Sequence, residues 1–110
     1  MENIDKTLLS GSISTMLLKL LSEKDMYGYE MIEALRERSR NVFELKAGTL
    51  YPLLHALEAK NYLSSYEQAG TGKPRKYYSI TDEGRKFLKK KLDEWETYTV
   101  AVSHVLAFEV

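Results

Sequence analysis

At 110 residues, with 44% hydrophobic and 29% charged side chains and no low-complexity tract, the chain has the composition of one globular domain and not of a disordered segment. The absence of cysteine excludes disulfides and thiolate metal sites. A formal net charge of zero leaves no global attraction for phosphates, so affinity for a polyanion has to come from where the charge sits.

A domain this short buries a limited fraction of its surface, so a partner that lends core is expected. The N-terminal residues Glu2, Asp5 and Lys6 are polar and mixed in charge, and the apolar runs are far too short to span a bilayer. A cytoplasmic protein with no membrane contact is the expectation.

In residues 5–21, Leu9, Ile13, Met16, Leu17, Leu20 and Leu21 recur every three or four positions, which predicts a helix with one buried face. A charged turn over 22–25 precedes a second, shorter amphipathic helix over 27–39, with Tyr27, Met31, Ala34 and Leu35 on one side and Glu30, Glu33 and Glu37 opposite. Gly28, a weak helix former near its start, marks either close packing against a neighbour or fraying, and close packing is the preferred reading. Leu50, Leu53, Leu54 and Leu57 then match the helical template throughout, giving a third helix over 47–59 with Asn61 as its stop.

Residues 63–69 and 76–80 are tyrosine-rich and suited to strands, and the turn formers Gly70, Thr71, Gly72, Lys73 and Pro74 lie between them. This reads as a hairpin with a long loop. Thr81 supplies an oxygen cap, and Asp82 and Glu83 place negative charge in the first turn of a fourth helix. Along it Leu88, Leu92, Trp95, Thr99, Val102 and Leu106 alternate four and three apart, the spacing of a coiled-coil seam, and Phe87, Tyr98, Ala101 and Val105 add an apolar flank. A helix of about 25 residues reaches about 38 Å, more than one small domain covers, so a second copy is the natural cover.

The fold class is therefore mainly α with a small β-hairpin: a winged helix-turn-helix over 1–80 and a long C-terminal dimerisation helix over 81–110, in one compact unit. The runs Tyr27-Gly28-Tyr29-Glu30-Met31-Ile32, Gly48-Thr49-Leu50-Tyr51-Pro52-Leu53-Leu54, Gly72-Lys73-Pro74-Arg75-Lys76-Tyr77-Tyr78 and Ile80-Thr81-Asp82-Glu83-Gly84 carry a family resemblance in the same order. The sequence resembles the PadR family of bacterial transcriptional repressors, in its short form with a single C-terminal helix. The resemblance implies a homodimer that represses by binding an operator in double-stranded DNA and, in some relatives, is released by a ligand. Lys46 departs from the small capping residue often found before the third helix: either that helix end frays, or Lys46 reaches a phosphate.

In a helix-turn-helix the second helix enters the major groove while neighbouring elements grip the backbone. The expected DNA-binding residues are Lys46, Gly48, Thr49, Tyr51, Pro52 and His55 on that helix, with Lys73, Arg75 and Lys76 on the wing. The helix face is small and lacks long bidentate readers, so shape and phosphate contacts are expected to supply much of the specificity. Pro52 should weaken or bend the early turns, because it has no N–H for the carbonyl of Gly48. The bend either angles the helix into the groove or is merely tolerated.

Trp95 either packs in the dimer core or also walls a pocket for a small planar apolar effector, with Leu9, Ile13, Leu88 and Leu92 as its lining. The second alternative makes the protein multidrug-responsive. His55 and His104 lie far apart without a carboxylate motif, so neither a metal site, a cofactor nor catalysis is expected. The competing functions are a protein-interaction module built on the winged helix without sequence-specific DNA binding, and a small-molecule sensor in which ligand binding comes first.

Overall fold

The computed structural model describes residues 11–70 and 72–107. In chain order the elements are α1 (Ile13–Glu23), β1 (Met26–Tyr27), α2 (Gly28–Arg38), α3 (Ala47–Ala59), β2 (Leu63–Gln68), β3 (Arg75–Ile80) and α4 (Asp82–Ala107). The expected beginning of the first helix, including Leu9, lies outside the described residues. Helix α1 runs through Ser22 and Glu23, so the charged turn is shorter than the sequence predicts.

Tyr27 belongs to β1 and not to the apolar face of the second helix. Its backbone is extended, and the carboxylate of Glu30 accepts its N–H at 3.2 Å, which starts α2 one residue later. Helix α2 closes with Arg40 at positive φ, the Arg40 and Asn41 amides donating to the carbonyls of Glu37 and Arg36. The same arrangement ends α3: Asn61 sits at φ 66°, its N–H donates to Glu58 and that of Tyr62 to Leu57. Asn61 is thus the stop that its side chain type predicts.

Strand β3 is central in the antiparallel sheet, with β1 on one edge and β2 on the other. The hairpin is in register from Leu63 opposite Ile80 to Gln68 opposite Arg75, while β1 adds Met26 opposite Tyr78 and Tyr27 opposite Tyr77. Helix order and sheet together make a winged helix-turn-helix, with α2 and α3 as the helix pair and the β2–β3 hairpin as the wing.

The core joins Leu17, Leu18 and Leu21 of α1 to Met31 and Leu35 of α2, Leu50, Leu54 and Leu57 of α3, Leu63 and Tyr78 of the sheet, and Leu88 of α4. Each such leucine is worth about 1.5–3 kcal/mol of burial. Thr81 caps α4 as its position predicts, accepting the N–H of Gly84 at 2.9 Å, and its own hydroxyl donates to the carbonyl of Asn61 at 2.7 Å. Gly84 is pressed on the carbonyl of Tyr62, so a β-carbon there would lie 2.1 Å from that oxygen. Past Leu88 the helix leaves the core, and the described chain extends over 62 × 33 × 21 Å. Among the described residues no helix is long and apolar enough to cross a membrane.

Candidate nucleic-acid interface

The leucine stripe of α3 faces inward: Leu50, Leu54 and Leu57 are buried and Leu53 is half-buried. Because 3.6 residues make a turn, the opposite face has to carry Gly48, Thr49, Pro52, His55, Ala56 and Ala59, and all six are exposed. Lys46 is exposed and provides no side-chain cap; only its carbonyl engages the helix, accepting the N–H of Thr49 at 3.0 Å and of Leu50 at 2.9 Å. Helix α3 is unbroken across Pro52, which sits on the solvent side, so the missing donor does not interrupt the helix.

Tyr51 leans from α3 onto the start of α2. Its hydroxyl occupies the space beside Gly28, where a β-carbon would stand 2.3 Å from it. Close packing, not fraying, therefore accounts for Gly28. One turn on along α3, the ring of His55 lies at a centroid separation of 6.4 Å from that of Tyr51.

On the wing Lys73, Arg75 and Lys76 are exposed, and Gly72 adopts a φ of 122° that side-chain-bearing residues rarely adopt. Arg75 does not hang free. Its guanidinium carbon lies 4.4 Å from the centre of the Tyr27 ring, and Lys76 places its ammonium 5.4 Å from that of Tyr78.

Tyr27 meets Tyr77 edge-on at 5.4 Å, Tyr77 stacks on Tyr66 at 5.7 Å, and the hydroxyl of Tyr66 donates to Asp25 at 2.7 Å. That carboxylate holds the Tyr66 hydroxyl protonated and raises its pKa above the ordinary phenol value. Tyr27, Tyr51, Arg75 and Lys76 line one open cavity of about 770 Å³ between α2, α3 and the base of the wing, with Glu30, Glu33 and Glu37 along its α2 side.

The family model described as the PadR-like family of transcriptional regulators matches residues 17–90, most of the chain. This chain belongs to that family. Its members are regulators of transcription and not enzymes. Among solved structures, a transcriptional regulator from Clostridium thermocellum is 37% identical with a TM-score of 0.83, over 88% of this chain and 95% of that one. A PadR family transcriptional regulator from Eggerthella lenta is 33% identical, also with a TM-score of 0.83, over 94% and 88%. A third, from Clostridium difficile, is 38% identical with a TM-score of 0.76, over 86% and 98%.

In this PadR-like protein the expected effector and dimer residues fall into two groups. Ile13 and Leu88 are 3% and 6% exposed and belong to the core. Leu92 and Trp95 instead line a second open cavity of about 760 Å³, together with Met16, Leu20, Phe43 and Tyr98. It lies between α1, the end of α2 and α4, and its wall is mostly apolar. Lys19, Arg38 and Lys91 stand around it; Arg38 binds Glu23 through both terminal nitrogens, which pulls the Glu23 carboxyl below its ordinary pKa.

Further along α4, Thr99 and Val102 are half-buried and Leu106 is 79% exposed. Sequence reasoning missed β1 and the tyrosine ladder, since two residues make no period. The signal that was present is the placing of Tyr27, Tyr66 and Tyr77 beside Asp25 and Arg75, which becomes legible only once the strand pairing is known.

Proposed function

We propose that the protein is a dimeric, cytoplasmic DNA-binding repressor that reads a palindromic operator with α3, holds the flanking phosphates with its wing, and dimerises through α4. The observation that supports this reading is one of placement: Tyr51 of α3 and Arg75 and Lys76 of the wing border the same open cavity, with Glu30, Glu33 and Glu37 on its α2 side, so the helix and the cationic wing open on one side of the domain. The small outward face of α3 suits close approach to a groove floor. Thr49, Tyr51 and His55 supply its polar contacts to bases or phosphates, with Gly48 and Pro52 allowing that approach, and Lys46, Lys73, Arg75 and Lys76 neutralise phosphates.

The division of labour runs between residues 1–80, which bind DNA, and 81–110, which join two copies. A second copy accounts for the uncovered stripe of Leu92, Trp95 and Leu106, and Thr99 and Val102 continue the same seam. A small planar apolar effector fits the cavity beside Leu92 and Trp95, where its binding would favour one spacing of the two readers over another.

Enrichment from a random duplex pool tests the central reading. The expected result is a site with twofold-related halves whose centres lie about 34–36 Å apart. Failure to enrich any duplex, with a protein partner retained from extract after nuclease treatment, would favour the protein-interaction alternative. For the effector, quenching of Trp95 fluorescence by planar apolar dyes is expected, and an unchanged spectrum across the panel would count against it.

A further inference from the structure

We propose that Tyr27 is a positioning residue for DNA binding: its ring holds the Arg75 guanidinium on the side of the wing facing α3, so the cation meets a phosphate already oriented. The inference rests on the reading of the wing as a phosphate grip.

A wing arginine free in solvent samples many rotamers and loses that freedom on binding, which weakens the complex. Here the side chain is gathered onto the Tyr27 face at 4.4 Å. A ring offers only its quadrupole, so it orients the guanidinium without neutralising it, and among the described residues no carboxylate pairs with Arg75. The charge stays available to a phosphate. Lys73, nearer the tip of the wing, has no ring or carboxylate beside it among the described residues.

Tyr27 is itself fixed from three directions. Its backbone pairs with Tyr77 in the sheet, its N–H is held by Glu30, and its ring meets the edge of Tyr77, which is braced by Tyr66 and through it by Asp25. Tyr27 also immediately precedes α2, whose first residue, Gly28, carries the hydroxyl of Tyr51. One residue thus ties the place of the wing cation to the place of the reading helix.

The test uses the full chain and a fluorescein-labelled duplex enriched from the random pool, with Kd followed by anisotropy and the melting temperature recorded alongside. Tyr27→Leu should weaken binding about 5–30-fold, since the dimer loses one exposed cation–π contact, worth about 2–5-fold, on each of its two wings. Tyr27→Phe, which keeps the ring, should bind like the wild type. Arg75→Ala should lower the salt slope by about 1.8, one phosphate contact on each of the two wings of the bound dimer.

The decisive variant is the double one. If Tyr27 acts through Arg75, Tyr27→Leu adds nothing once Arg75 is alanine. Full additivity, or a loss in Tyr27→Phe as large as in Tyr27→Leu, overturns the positioning role while the DNA-binding reading stands. Salt-insensitive binding by the wild type overturns both.

Discussion

Helix α3 and the outer half of α4 both carry apolar residues at helical spacing, yet one stripe is sealed and the other open. In α3, Leu50, Leu54 and Leu57 are at most 5% exposed, closed in by α2 and β2. On α4, Leu88 is the last residue in the core; Trp95 is 53% exposed and Leu106 79%. Periodicity says which side of a helix seeks cover, and only the surrounding layers say whether the same chain provides it. For α4 the proposed cover is a second copy, which would make the two stripes different kinds of stability: one intrinsic, the other dependent on concentration.

The sharpest way to break that contrast is Trp95→Glu. A charge set in the proposed dimer seam should convert the protein to monomers at concentrations where the wild type is dimeric, and weaken operator binding by at least about tenfold, because two half-sites are then bound separately. Sedimentation equilibrium and anisotropy measure the two effects. A variant of unchanged mass would remove α4 as the seam.

Leu54→Ala should cost about 2–5 kcal/mol in denaturant unfolding, whereas Leu106→Ala should lower the melting temperature only where dimers form. The comparison fails if Leu106→Ala destabilises equally at every concentration.

A smaller effect of opposite sign is expected at Tyr78, which is fully buried with its hydroxyl lacking a hydrogen-bond partner among the described residues. Tyr78→Phe should leave stability unchanged or raise it by about 1 kcal/mol, since it removes a desolvated polar group and keeps the ring. A loss of more than that would mean the hydroxyl has a role.

The smallest effects are those of pH. The Tyr66 pKa is raised by the bond to Asp25, so this contribution to stability is present below the unfolded tyrosine value and is lost as pH rises past about 10 through the folded one. The Glu23 pKa is lowered by Arg38, so its contribution is present above the unfolded carboxyl value and fades as pH falls below about 4. Melting curves of Tyr66→Phe should flatten the alkaline limb and leave the acid limb intact.

Much of this was legible in the sequence. The bounds of α3, the left-handed stop at Asn61, the Thr81 cap and the order of the helices and the hairpin all follow from short-range rules about spacing, caps and turn residues, and the structure follows them. Three features were not. Tyr27 looks like one more apolar residue of α2 until Glu30 is seen to hold its N–H and β3 to pair with it. Leu88 and Leu92 share a seam in sequence, yet one enters the core and the other lines a cavity, because α4 outgrows the domain between them. Arg75 reads as a free wing cation, and its partner ring lies 48 positions earlier in the chain, beyond the reach of any local pattern.

The most direct measurement is the dependence of log affinity on log salt for the enriched duplex, comparing wild type with the Lys73→Ala, Arg75→Ala, Lys76→Ala triple variant. The wild type should show a steep negative slope, and replacing the three cations of each wing should make it shallower by about 0.9 for every phosphate no longer neutralised. A wild-type slope near zero, or a triple variant with the wild-type slope, would contradict the account.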